Sequence, residues 1–82
     1  MENVEAAGQR YSVVLVPEPE EGGYSVLVPA LPGCYTQGDT VAEALANARE
    51  AIQGHIESLA AHGEPVPVES AADVPKDVSR AL

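Results

Sequence analysis

Cys34, His55 and His62 are the residues best suited to nucleophilic or metal chemistry in this chain of 82 residues. A thiol beside an imidazole can act as a nucleophile with its general base, and the same residue types bind zinc. Their spacing matches no standard zinc motif. A free cysteine is more often a small buried hydrophobic residue, and a histidine near a helix C-terminus interacts favourably with the helix dipole. We therefore predict structural roles for all three residues and no metal site.

Carboxylates are the second group that could support catalysis. Nucleases of the two-metal type hold their ions with several carboxylates that project from adjacent strands. The predicted strand interiors, residues 11–16, 24–28 and 34–37, contain no Asp or Glu. Asp39 and Glu43 cannot form such a cage alone. The sequence therefore predicts a protein that is not an enzyme and needs no cofactor.

The composition favours a binding role. Thirteen acidic residues and four basic residues give a formal net charge of −9, which disfavours nucleic acid and favours a basic partner protein. The alternative is that the charge only keeps a small domain soluble. One cysteine excludes an internal disulfide framework, and no signal peptide or membrane-spanning run is visible. The predicted location is the cytoplasm.

Short runs of β-branched and apolar residues predict three antiparallel strands. A glycine-containing turn with three glutamates connects the first two, and a rigid proline corner connects the second and third. The strands are residues 11–16, 24–28 and 34–37, the turn is 18–23, and the corner is 29–33. Consecutive strands with short connections form a meander.

One long helix is predicted after the strands. Thr40 and Glu43 match the capping box at its start, and Gly63 with Pro65 marks its end near His62. Apolar residues recur at helical period along one stripe, and they are Val41, Leu45, Ala48, Ile52, Ile56 and Leu59. The helix is expected to pack this stripe against one face of the sheet.

The two ends of the chain have weaker patterns. Residues 1–10 show no clear period and are predicted to form a flexible N-terminal arm. Residues 69–82 are predicted to be an extended tail that can include a short fourth strand around Asp77 to Ala81. A single domain then spans residues 11–68.

These elements predict an α+β fold, a three-stranded antiparallel meander with one long helix. One helix covers only one face of a small sheet. The opposite face would expose an apolar patch, so we predict a homodimer or homotetramer that forms through it. The residues assigned to this self-interface are Ser12, Val14, Val16 and Leu27.

Several short motifs, taken in order, resemble the HicB-like antitoxin family. They are Gly22-Gly23-Tyr24, Val28-Pro29-Ala30-Leu31-Pro32-Gly33-Cys34, Gln37-Gly38-Asp39-Thr40, Glu43-Ala44, Ala48-Arg49-Glu50-Ala51-Ile52 and Gly63-Glu64-Pro65-Val66-Pro67. The resemblance implies a β-β-β-α-β order and a partial RNase H-like fold. It also implies a partner, a small basic toxin of the HicA type. Such toxins are RNases that cleave mRNA, and HicB-like antitoxins bind and block them.

The chain departs from the resemblance after Pro67. Many family members carry a C-terminal segment that binds DNA, but residues 68–82 are short and contain only two basic residues, Lys76 and Arg80. No direct nucleic-acid binding is therefore expected. The alternative to an antitoxin is a stand-alone HicB-like adaptor or structural protein without a cognate toxin.

Partner contacts are predicted on the acidic turn and on the proline corner with its neighbours. The residues are Glu18, Glu20, Glu21, Tyr24, Leu31, Pro32 and Tyr35. The structural alternatives are a solvated turn that binds nothing and a corner that only reverses the chain.

Overall fold

The fold, seen in a computed structural model that describes residues 2–69, is a four-stranded sheet with one helix on it. Strands β1 (Glu2–Ala6), β2 (Gln9–Pro17), β3 (Tyr24–Leu27) and β4 (Tyr35–Gly38) pair antiparallel in the order β1-β2-β3-β4. Helix α1 (Val41–Ala61) follows them. The predicted α+β class is confirmed. The strand predicted around residues 77–81 lies outside the described residues, and the likeness to a partial RNase H-like fold stays a prediction.

The N-terminal residues do not form the flexible arm predicted for residues 1–10. Residues 2–6 are β1, which pairs with the first half of β2, so a strand precedes the three that were predicted. Ala7 (φ 53°) and Gly8 (φ 77°) connect the two strands, and two positive φ angles give the hairpin turn that suits the twist of a sheet. Val4 and Ala6 are buried and β1 contacts the helix. Two apolar positions are too few to reveal a strand by alternation.

The hydrophobic core lies between the helix and one face of the sheet. Side chains alternate along each strand, and every second residue of β1, β2 and β3 points toward α1. The buried apolar residues are Val4, Ala6, Tyr11, Val13, Val26, Val28, Ala30, Leu31, Cys34, Ala44, Ala48, Ile52 and Ile56. The core is therefore aliphatic except for Tyr11 and the small thiol of Cys34.

Helix α1 begins and ends at the predicted residues. Thr40 is the N-cap, and its Oγ1 accepts from the Glu43 N–H at 3.1 Å. Glu43 Oε1 in turn accepts from the Asp39 N–H at 3.0 Å, so two free donors at the helix start are satisfied. At the other end His62 is the C-cap, and Gly63 has a φ of 69°, the left-handed conformation that commonly ends a helix.

The start of α1 lies very close to β4. Ala44 is fully buried, whereas Val41, the first residue of the predicted stripe, is 40% exposed. A Cβ atom at Gly38 would collide with the backbone nitrogen of Ala44. The two backbones can approach this closely only because residue 38 has no side chain. This approach rotates the buried face of the helix toward Ala44.

The helix also covers the outer edge of β4. The side-chain amide of Asn47 donates to the backbone oxygen of Gln37 at 2.8 Å. Gln37 lies in β4, which is the last strand in the order β1-β2-β3-β4. A backbone acceptor of this edge strand is therefore bonded to the helix.

Candidate partner-binding surfaces

An acidic groove lies between the β2–β3 turn and the start of helix α1. Its volume is about 690 Å³. Five carboxylates and one tyrosine are among the residues that line it: Glu18, Glu20, Glu21, Tyr24, Asp39 and Glu43. The structure thus brings four of the predicted partner-binding residues together. It adds Asp39 and Glu43, which the sequence pattern did not assign to a partner-binding surface.

The turn that carries three of these glutamates has a fixed geometry. The Gly22 N–H donates to the Glu18 backbone oxygen at 2.7 Å, and the Glu18 N–H donates to the Gly23 oxygen at 3.0 Å. The Ser25 hydroxyl donates to the Glu18 carboxylate at 2.6 Å. Glu20 and Glu21, at the tip of the turn, are both exposed. The groove is therefore preformed on one wall.

The second glycine of the turn, Gly23, sets the distance between the two walls of the groove. Its φ is 76°, and a Cβ atom there would lie 2.6 Å from the backbone oxygen of Gly38. The turn therefore packs directly on the junction between β4 and α1. This contact brings Asp39 and Glu43 next to the glutamates of the turn.

The groove is strongly negative. Within residues 2–69 Arg10 and Glu5 form an ion pair at 3.0 Å, and both side chains are exposed. Neither residue lines the groove. Within the same residues no three His, Cys, Asp or Glu side chains are arranged to hold a metal ion. The groove is therefore suited to attract a cationic surface, because its carboxylates share one field and none of the residues that line it is basic.

The second surface is the face of the sheet opposite the helix, which we call the open face. Val14 pairs with Leu27, and Leu27 pairs with Tyr35, so the three side chains form one apolar row across three strands. Leu27 is 39% exposed and Tyr35 is 69% exposed. A depression of about 410 Å³ lies between this row and the proline corner, where Pro32 is exposed.

The open face combines residues that the sequence assigned to two different surfaces. Tyr35 and Pro32 were predicted to contact the partner, whereas Val14 and Leu27 were predicted to form a self-interface with Val16. Leu31, also predicted to contact the partner, is fully buried and packs in the core. Self-association through this face stays a prediction.

Ser12, the fourth predicted self-interface residue, is buried within the chain itself. Its N–H donates to Glu69 Oε1 at 2.5 Å, and its hydroxyl donates to Glu69 Oε2 at 2.8 Å. Its hydroxyl also lies 3.3 Å from Asn3 Oδ1. We call the two bonds to Glu69 the carboxylate clasp. Ser12 is covered by this clasp, which involves residues far apart in sequence.

Tyr11 lies beside the clasp on the helix side of β2. Its hydroxyl donates to the Pro67 backbone oxygen at 2.7 Å. Burial, and to a smaller extent the charge of Glu69, raises the pKa of Tyr11 above its ordinary value. The neutral phenol therefore persists as a donor across the ordinary pH range.

Cys34, His55 and His62 do not form a metal-binding group within residues 2–69. Cys34 is 4% exposed, and burial raises the pKa of its thiol. His62 is the helix C-cap, with Nδ1 2.7 Å from the Ser58 oxygen, and His55 is half-buried along α1. The structural roles expected for the three residues stay a prediction.

Cys34 is expected to react slowly with a small aromatic disulfide reagent. A buried thiol with a raised pKa presents little thiolate, so the folded protein should react at least about tenfold more slowly than the urea-unfolded chain at pH 7 and at pH 8.5. The measurement is release of the coloured thiolate with time. A rate in the folded protein equal to that of the unfolded chain would contradict this expectation.

The comparison with protein families decides where the chain belongs. The family described as "HicB_like antitoxin of bacterial toxin-antitoxin system" matches residues 11–79. The chain belongs to this family. The resemblance inferred from the ordered motifs is thereby confirmed.

Three relatives show how the HicB-like chain compares with other proteins. It is 49% identical over 65 residues to UPF0150 protein Ta0767 of Thermoplasma acidophilum, covering 79% of this chain and 93% of that protein. It is 41% identical over 61 residues to Antitoxin HicB of Escherichia coli K12, and the match covers 74% of this chain and 44% of that protein. It is 40% identical over 75 residues to Antitoxin HicB 1 of Photorhabdus laumondii, and the match covers 85% of this chain and 48% of that protein. The chain thus spans less than half the length of the two named antitoxins.

Family membership supports an antitoxin role in a toxin–antitoxin system, with a toxin as partner. Such a role points to a regulatory protein without catalysis. No helix among residues 2–69 has the length and hydropathy needed to cross a membrane.

Proposed function

We propose that this HicB-like protein neutralises a small basic toxin of the HicA type, an mRNA-cleaving RNase, by covering the toxin's active surface. The observation that carries the proposal is the acidic groove, in which five carboxylates line one preformed cleft. Its charge is complementary to a toxin rich in lysine and arginine. Family membership supplies the class of partner.

Charge complementarity and steric exclusion are sufficient for this function. The negative electrostatic field of the groove speeds the encounter with a basic protein. Once bound, the antitoxin prevents RNA from reaching the toxin. Glu20 and Glu21 are exposed at the rim, and Tyr24 is half-buried in the wall. No chemical step by the antitoxin is required, so we propose a protein that is not an enzyme. The free thiol of Cys34 suits a reducing compartment, and we propose the cytoplasm.

The test is co-purification with the product of the adjacent gene, followed by affinity measurement at low and high salt. The charge-reversal variant E20K/E21K is expected to weaken binding by roughly 10- to 100-fold at low salt, and by less at high salt, because salt screens exposed charges. The matched control is E2K/E57K, which changes the net charge equally at two exposed positions outside the groove.

Two outcomes would contradict the proposal in different ways. Equal weakening by the groove variant and the control would show that only net charge matters. Failure of the wild-type protein to bind would favour the alternative, a stand-alone HicB-like adaptor or structural protein without a cognate toxin.

A further inference from the structure

The open face and the acidic groove are parts of one continuous surface. Side chains two residues apart on a strand share a face and lie about 7 Å apart. Ser25 lies one such step along β3 from Leu27. Gln37 lies the same step along β4 from Tyr35. Ser25 and Gln37 also line the groove, and the Ser25 hydroxyl is bonded to the carboxylate of Glu18. A molecule that occupies the groove is therefore next to the apolar row.

The depression beside the proline corner lies at the other end of the open face and is preformed. Two of its lining residues, Leu31 and Cys34, are buried. Two successive turns hold them, because the Leu31 N–H donates to the Val28 oxygen and the Cys34 N–H donates to the Leu31 oxygen, both at 3.0 Å. None of the lining residues is charged. The volume of about 410 Å³ lies within the range of ligand pockets, roughly 300–1,000 Å³, so an apolar side chain of a partner can enter.

Charge is confined to one end of this continuous surface. The side chains exposed along its centre, Val16, Leu27 and Tyr35, are uncharged, whereas five carboxylates line the groove. Asp39 follows β4 and lies about 13 Å beyond Tyr35 along the strand direction. A molecule that fits the whole surface is therefore apolar at one part and cationic about 7–13 Å away from it.

We propose that the open face binds an apolar anchor of the same basic partner whose cations meet the acidic groove. One large apolar side chain of that partner enters the depression, and its lysine or arginine residues lie about 7–13 Å away. The proposal rests on the proposed function and adds an uncharged contact to it. Attraction between exposed charges weakens as salt rises, whereas burial of apolar surface does not depend on charge. The partner is thus recognised by a paired apolar and basic pattern and not by charge alone.

A second copy of this chain matches the surface less well than a basic protein does. An occupant of the open face comes within about 7 Å of the residues that line the groove. The chain has thirteen acidic residues and four basic ones, so each copy would bring a net charge of −9 to the contact. Like charges repel across such a contact, whereas a basic protein is attracted to it. The charge balance therefore favours the basic partner as the occupant.

The affinity of the adjacent-gene product for open-face variants, measured at low and at high salt, tests the proposal. Tyr35→Ala and Leu27→Ala are each expected to weaken binding by roughly 10-fold at both salt concentrations, because salt does not screen apolar contacts. The matched control is Leu59→Ala, which truncates a half-buried leucine of α1 that lines neither the groove nor the depression. It should bind like the wild-type protein. Circular dichroism checks that each variant is folded.

The outcomes separate this proposal from the proposed function. The effect of E20K/E21K should shrink at high salt, whereas that of Tyr35→Ala should persist. If E20K/E21K weakens binding but Tyr35→Ala and Leu27→Ala bind like the wild-type protein, the proposed function stands and the apolar anchor is wrong. Equal weakening by Leu59→Ala would also overturn the anchor. If the wild-type protein does not bind the toxin, both proposals fail.

Sedimentation of the free protein tests the second copy as the alternative occupant. We expect the wild-type protein and Tyr35→Ala to sediment as the same species, because the open face is reserved for the partner. A wild-type oligomer that Tyr35→Ala dissociates would identify a second copy as the occupant of the open face and overturn the proposal.

Discussion

Replacement of Gly38 by valine is expected to lower the free energy of unfolding by about 3 kcal/mol or more. A Cβ atom at this position would collide with the backbone of Ala44. Backbone atoms in the first turn of α1 cannot move aside as a flexible side chain can, so the helix must shift away from β4. Urea unfolding followed by circular dichroism measures the decrease in the free energy of unfolding. A variant that does not fold at all would show the largest possible decrease.

The control for this substitution is Gly54→Ala. Gly54 lies within α1, and a Cβ atom there has no neighbour within 4 Å. Alanine should therefore raise the free energy of unfolding by about 0.5–1 kcal/mol, since glycine is a poor helix former. Equal stability of Gly38→Val and the wild-type protein would show that the helix and β4 are further apart than the structure has them.

Replacement of Leu31 by alanine is expected to destabilise the fold by about 2–4 kcal/mol. Leu31 is fully buried, and truncation removes apolar contacts and leaves a cavity. Urea unfolding again provides the measurement. The effect should concern stability first, although the sequence suggested a partner contact at this residue.

Tyr35→Ala is the matched control for Leu31. Tyr35 was assigned to the same partner-binding set but is 69% exposed, so its truncation should cost less than about 1 kcal/mol. If the two variants had equal stability, the inward position of Leu31 would be wrong.

The elements with strong local signals were predictable from the sequence. The pattern of β2, β3 and β4 and the caps of α1 depend on neighbouring residues, and the structure has them near the predicted bounds. Strand β1 was missed because Val4 and Ala6 are its only buried residues. A strand this short gains its stability from pairing with β2, which no local pattern shows.

The candidate surfaces were only partly predictable. The acidic turn follows from local composition, but Asp39 and Glu43 join it through the close packing at Gly23 and Gly38. Ser12 was assigned to an interface because Glu69, its partner, is 57 residues away. Contacts between distant residues decide these surfaces, and one sequence contains no direct signal for them.

The hydrogen bond between Asn47 and Gln37 has a consequence for behaviour at high concentration. An uncovered strand edge is a template on which further chains can stack, and such stacking begins fibril growth. At β4 the side-chain amide of Asn47 is bonded to the Gln37 backbone oxygen, so helix α1 lies against this edge strand. The contact between α1 and β4 therefore disfavours the addition of a further strand along that side.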